Sequence, residues 1–133
     1  MKFYRFVSKK EIERYAKNGM IDTSHHDKWR YPPNTVIHLF RGENWYDLIM
    51  EYKTGVVDQR NLKVGDFIYV IEIKDLPEKY EKDKFAAGWP HSYVHYGPID
   101  TEYYIILGKL EILQGGDQIV EVSQLVPFNV NLI

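Results

Sequence analysis

Phe67-Ile68-Tyr69-Val70-Ile71-Glu72-Ile73 has β-branched or aromatic residues at every position but one. Such side chains fit the packed, pleated surface of a sheet, so this segment predicts a strand near the centre of one. Lys63-Val64-Gly65-Asp66 before it reads as the turn that launches it. Upstream, Phe3-Tyr4-Arg5-Phe6-Val7 alternates like a half-buried strand. Ser8-Lys9-Lys10-Glu11 is then a capping box, and a helix should run from Ser8 to about Asn18, with Ile12, Tyr15 and Ala16 inward and Gly19 as its left-handed stop. Met20 to Asn34 reads as a loop crossing the sheet, closed by Pro32-Pro33. Thr35 to Phe40 reads as a strand and Arg41-Gly42-Glu43 as a turn. Asn44 should cap a second helix whose apolar face is Trp45, Leu48, Ile49 and Tyr52, with Gly55 as its end.

Downstream of the central strand, a charged stretch runs to Lys84. Ala87 to Pro98 then reads as a long loop rich in Trp, Tyr and His, a kind more often functional than decorative, and it is expected to wall a pocket. Glu102 to Leu113 predicts a strand bent or bulged at Gly108. Gln114-Gly115-Gly116-Asp117 predicts a hairpin, with Gln118 to Val122 pairing back and the tail from Val126 to Ile133 as an edge strand. The whole predicts a single domain over 1–133, α+β in class, with a twisted, mostly antiparallel sheet and two short helices in its N-terminal half.

Composition narrows the functional classes. With 133 residues, 44% hydrophobic and 27% charged, the chain can bury one core, which excludes a disordered polymer. The absence of cysteine excludes disulfides, thiolate metal sites and thiol nucleophiles. No leader pattern opens the sequence and no stretch approaches eighteen apolar residues, so the expectation is a cytoplasmic protein with no membrane partner. A net charge of −2 with no basic run argues against a nucleic-acid partner. Lys63-Val64-Gly65-Asp66-Phe67 also looks like the opening of small β-barrel RNA-binding modules, but no basic stripe accompanies it. G-x-S-x-G, P-loop and G-x-G-x-x-G patterns are all missing.

Four segments carry a resemblance: Phe3 to Ser8, Val36-Ile37-His38-Leu39, Phe67 to Leu76, and Gly88-Trp89-Pro90-His91-Ser92-Tyr93-Val94-His95-Tyr96-Gly97-Pro98-Ile99. They resemble the I-Y-H-I-V-T, F-I-H-L-S, L-x-L-L-E-I-D and F-P-H-x-Y-G-P-L signatures of a small bacterial family of unknown function with the ADP-ribosyltransferase-like fold. Arg5 stands where that family has His, and Phe40-Arg41 replaces its Ser-Thr. The resemblance implies a split sheet with NAD or an ADP-ribose-like nucleotide in the cleft between two half-sheets. It implies Arg5 holding ribose or phosphate and Glu102 as the carboxylate that would stabilise an oxocarbenium as nicotinamide leaves. A protein is one possible acceptor of any transferred ADP-ribose.

The candidate catalytic pair is therefore Glu102 and Arg5, and the candidate ligand-binding set is His38, Arg41, Trp89, His91, Tyr93, His95 and Tyr96. Each has a plainer alternative. Arg5 reads equally as an ion-pairing residue, Glu102 as a strand-boundary charge, His38 as a satisfied core or rim histidine, and the aromatic segment as a loop packed over the sheet end. His91 and His95 are four apart but flanked by Pro90 and Gly97, and His25-His26 are adjacent, so no metal is expected. A non-catalytic module holding a small molecule or a protein is the competing reading.

Overall fold

In the computed structural model, residues 2–23, 31–32, 34–77, 79–86, 88–114 and 120–127 are described. The alternating N-terminal segment forms β1 (Lys2–Val7). Ser8 ends it through a capping box: its hydroxyl accepts the Glu11 N–H at 3.3 Å, and the Glu11 carboxylate accepts the Ser8 N–H at 3.1 Å. Helix α1 (Lys9–Asn18) follows and closes on Gly19 at φ 70°, a left-handed conformation glycine adopts without steric cost. Ile12 and Tyr15 are buried but Ala16 is exposed, so the inward face is narrower than the spacing suggested.

The segment read as a loop after Gly19 contains a short strand, β2 (Met20–Ile21). Next come β3 (Val36–Arg41) and α2 (Trp45–Gln59), whose cap Asn44 accepts the Tyr46 N–H at 2.7 Å. Gly55 does not end α2. A Cβ there would lie 2.5 Å from the Trp89 ring, so this glycine makes room for an indole rather than stopping a helix. The Lys63–Asp66 turn forms as expected, the Asp66 carboxylate accepting the Lys63 N–H at 2.8 Å, and β4 (Phe67–Lys74) follows.

The charged stretch yields a short strand, β5 (Tyr80–Lys82). The middle of the segment read as an aromatic loop is strand β6 (Ser92–Tyr96). Its Gly and Pro residues delimit a five-residue strand instead of breaking it, because Tyr, Val and Tyr pair well between two neighbouring strands. After β7 (Ile99–Asp100), which pairs with β2, a 3-10 turn covers Thr101–Tyr103. Glu102 therefore lies in that turn, ahead of β8 (Tyr104–Gln114), and does not begin the strand. Positions 115–119 of the expected hairpin and 128–133 of the tail lie outside the described residues. β9 (Glu121–Val122) does pair back on β8, and β10 (Val126–Pro127) joins its edge.

The main sheet runs β10-β8-β4-β1-β3-β6-β5, every pairing antiparallel, with β4 between β1 and β8. β8 carries a bulge: Val70 pairs Gly108 but Ile71 pairs Ile106, which leaves Leu107 as the extra residue. Helix α2 covers one face, packing Leu48, Ile49, Tyr52 and Val56 with Tyr4, Phe6, Ile68, Val70, Leu110 and Ile112. Helix α1 covers the other, packing Ile12 and Tyr15 with Phe3, Val7, Ile37, Leu39, Ile71 and Ile73. Each such buried aliphatic or aromatic side chain stabilises the fold by roughly 1.5–3 kcal/mol.

One seam in this sheet is narrow. β1 pairs β4 along its whole length from Lys2 to Val7, yet it pairs β3 only at Phe3–Arg41 and Tyr4–Phe40. Within this one sheet, β10-β8-β4-β1 and β3-β6-β5 are thus joined by a two-residue ladder. Where the ladder stops, Arg5 Nη1 donates to the His38 carbonyl at 2.9 Å and takes over the joining.

Candidate ligand cleft

At the end of the sheet where β1 starts and β3 ends, backbone bonds draw three segments together. Gly42 N–H donates to the Lys2 carbonyl at 3.3 Å and Arg41 N–H to the His91 carbonyl at 2.9 Å. A cleft of about 340 Å³ opens there, lined by Lys2, Arg41, Gly42, Glu43, Pro90, His91 and Tyr93.

The Arg41 guanidinium lies over the Tyr93 ring at 5.4 Å, and its Nη1 donates to the Tyr93 hydroxyl at 3.3 Å. Among the described residues that is its one side-chain hydrogen bond, so most of its five N–H donors have no acceptor among them. Lys2 Nζ stands 3.9 Å from Glu72, which Lys74 approaches more closely, at 3.0 Å. Glu72 thus has two ammonium neighbours, and Lys2, whose side chain is about half exposed, also lines the cleft. Glu43 is exposed and makes no hydrogen bond or ion pair among the described residues.

His91 is held by its backbone. Its N–H donates to the Tyr52 hydroxyl at 3.4 Å, while its Nε2 sits 3.9 Å from the Glu51 carboxylate, with both side chains about half exposed. An ion pair so solvated contributes little. Tyr52 is fixed in turn by a stack: Phe40 lies 4.6 Å away at 17° and Trp89 4.9 Å away at 27°. Trp89, a ligand candidate from the sequence, therefore packs on Tyr52 and Gly55 and reaches the cleft only through the residues it steadies.

Of the sequence candidates, the cleft brings together Arg41, His91 and Tyr93. His38 lies in a second cluster, its Nδ1 3.6 Å from the buried Asp83 carboxylate, which also accepts from the Tyr31 hydroxyl and the Phe85 N–H, both at 3.0 Å. His95 is buried on β6, its Nδ1 2.9 Å from the Gly97 carbonyl, and burial lowers its pKa. Tyr96 is exposed and donates to Glu81 across the β5–β6 pair. None of these three lines the cleft.

The two catalytic candidates are not brought together. Arg5 is 2% exposed, and its guanidinium donates to the Tyr15 hydroxyl (3.0 Å), the His38 carbonyl (2.9 Å) and the Glu11 carboxylate (3.2 Å). Arg60, at the end of α2, donates to the other Glu11 oxygen at 2.7 Å. Burial alone would raise the Glu11 pKa, but the two guanidiniums and the Ser8 N–H outweigh it and hold the carboxyl at about 2. Arg5 thus acts as an internal ion-pairing residue in this arrangement. Glu102 is exposed at the far side of the same sheet end. Tyr104, two residues on, lies in the row Tyr104–Ile73–Phe3–Arg41, so three strand spacings, about 14 Å, separate β8 from Arg41.

Sequence reasoning missed Lys2, Glu43 and Glu51 at the cleft, and Asp83 and Arg60 elsewhere. The turn signal at Arg41-Gly42-Glu43 marked Glu43 only as turn chemistry, and nothing local distinguishes Lys2 from other lysines. Among the described residues no group of three or more His, Asp and Glu side chains could hold a metal ion, and no helix is long and apolar enough to cross a membrane. His25 and His26 lie outside the described residues. No protein-family description, curated protein or solved structure matches the chain.

Proposed function

We propose that this chain binds a nucleotide-type ligand, NAD or an ADP-ribose-like molecule, in the cleft at the junction of its half-sheets, on an ADP-ribosyltransferase-like fold. The observation that carries this reading is one cleft lined by Lys2, Arg41, His91 and Tyr93, with the Arg41 guanidinium over the Tyr93 ring. A guanidinium with unengaged donors suits phosphate oxygens, and aromatic and imidazole surface suits a planar base. The two-residue ladder between β1 and β3 supports the split-sheet reading.

The geometry favours holding the ligand over turning it over. Glu102 stands three strands from Arg41, and Arg5 is committed to Glu11 and Tyr15. Transfer of ADP-ribose to a protein acceptor would need a carboxylate nearer the cleft, and Glu43 is the one that lines it. Calorimetry and thermal shift with NAD and ADP-ribose test the binding, since a ligand that binds only the native state raises its stability. Nicotinamide release on long incubation with NAD would move the reading from a binding module to an enzyme. No nucleotide binding at all would overturn it.

A further inference from the structure

We infer that His38 and Asp83 form an acid-tightened latch that fastens Tyr31 and the turn after β5 to β3; it stands apart from the cleft and from the nucleotide reading. The Asp83 side chain is buried, and groups from four parts of the chain meet its carboxylate. One oxygen accepts the Tyr31 hydroxyl and the Phe85 N–H, both at 3.0 Å. The other accepts the Ser92 hydroxyl at 3.4 Å and lies 3.6 Å from His38 Nδ1. Tyr31, Phe85 and Ser92 are neutral donors, so they satisfy the hydrogen bonds of the carboxylate without cancelling its charge. Among the described residues His38 is the one side chain that can pair with Asp83 as a cation, and it does so only when protonated. A buried charge without an opposite partner is costly, which gives protonation of His38 a structural consequence.

The exposures suit a switch: the His38 side chain is 26% exposed and can exchange protons with water, whereas that of Asp83 is 2% exposed. The surrounding groups leave the decision to this pair. Tyr31 meets the imidazole edge-on at 6.1 Å and stays neutral, because burial first and then Asp83 raise its pKa. Glu81 adds negative charge on the Tyr31 side. On β6, Val94 stands opposite His38 and is apolar. On β1, the Arg5 guanidinium bonds the His38 carbonyl, but its charge is matched by Glu11. The pair tightens when His38 gains its proton, so its contribution is present in acid and lost as pH rises past the titration of His38. His95 acts in the opposite direction, since burial disfavours its charged form.

The test is amide hydrogen exchange on the full chain, corrected for the intrinsic effect of pH, together with an NMR titration of the His38 ring. His95→Asn serves as the background, so that the opposing titration is removed. The Phe85 amide, which Asp83 holds directly, should gain about fivefold protection between about pH 8 and pH 5.5, the upper end for a partly solvated ion pair. The gain should vanish when His38→Gln is added, since glutamine can still donate a hydrogen bond to Asp83 but carries no charge. The Ile12 amide, bonded to the Ser8 carbonyl in α1, should show no such gain. In the wild type the His38 ring should titrate between about pH 5 and 8, a readout that needs no variant to fold. Phe85 protection that is flat or falls in acid overturns the inference. An equal gain at Ile12, an equal gain with His38→Gln, or a ring that does not titrate in that range also overturns it.

Discussion

Replacing Glu11 by Gln should destabilise the protein by about 3 kcal/mol at neutral pH, although glutamine keeps the shape and can still serve the capping box. The Glu11 carboxylate is buried between two guanidiniums, Arg5 at 3.2 Å and Arg60 at 2.7 Å, and also accepts the Ser8 N–H. Its pKa falls from 4.5 in the unfolded chain to about 2, because the two guanidiniums and that N–H outweigh the opposing effect of burial. A depression of that size corresponds to about 3 kcal/mol favouring the charged form. Removing the charge leaves two buried cations facing each other, a change that costs roughly 3–5 kcal/mol where a buried ion pair is broken.

Urea unfolding measures it. With a slope of about 1–3 kcal/mol per molar, the midpoint should fall by roughly 1–3 M. The pH dependence adds a second readout. A carboxylate whose folded pKa is depressed stabilises fully above its unfolded value, so the gap between wild type and variant should be complete above about pH 5 and close as pH falls from 4.5 toward 2. A loss under about 1 kcal/mol at pH 7, or a gap that stays constant as acid is added, would refute the argument that this carboxylate neutralises both arginines.

Gly55→Ala should destabilise despite alanine's better helix propensity, because the new Cβ would lie 2.5 Å from a Trp89 ring already stacked on Tyr52, and overpacking of this kind costs about 1–3 kcal/mol; thermal melts of Gly55→Ala with and without Trp89→Leu would show the loss relieved in the double variant. Ser8→Ala removes the acceptor of the Glu11 N–H and should cost about 1 kcal/mol in chemical unfolding, with the Ser8 N–H bond to Glu11 retained. Burial lowers the His95 pKa below 6.5, so below that pH the unfolded chain binds a proton that the folded one refuses, and stability should drop on acidification through that range. In His95→Asn the slope of stability against pH between 6.5 and 5 should flatten; an unchanged slope would remove His95 as its source.

Local signals were legible where one stretch of chain decides the outcome. The Ser8–Glu11 capping box, the Gly19 stop and the Asn44 cap are each satisfied within a few residues of sequence, and all three form. Gly55 misled because the reason for it, Trp89, is 34 residues away, and a glycine that admits an indole reads in sequence like one that ends a helix. β6 was missed because its flanking Pro90 and Gly97-Pro98 outweighed five strand-forming positions whose partners lie on β3 and β5. Arg5 shows the same limit at the site: its position in the first strand was readable, but Arg60, which shares its Glu11 partner, arrives from the end of α2, 55 residues on. Tyr93 and His91 could be picked out as aromatic and polar neighbours, whereas Lys2 and Glu43 join them only through the register of β1 against β3.

That register also places the cleft at the seam between β1 and β3. Lys2 belongs to the half built on β1 and Arg41 to the half built on β3, and the ladder between them is two residues long. On the inner side of that ladder, Arg5 crosses the seam to the His38 carbonyl and is held by Glu11, which Arg60 anchors to the end of α2. On the outer side, the one backbone bond beyond the ladder is Gly42 to Lys2, at a long 3.3 Å. A ligand in this cleft would touch residues of both β1 and β3, so its binding should stiffen the seam more than a pocket lined from one strand would.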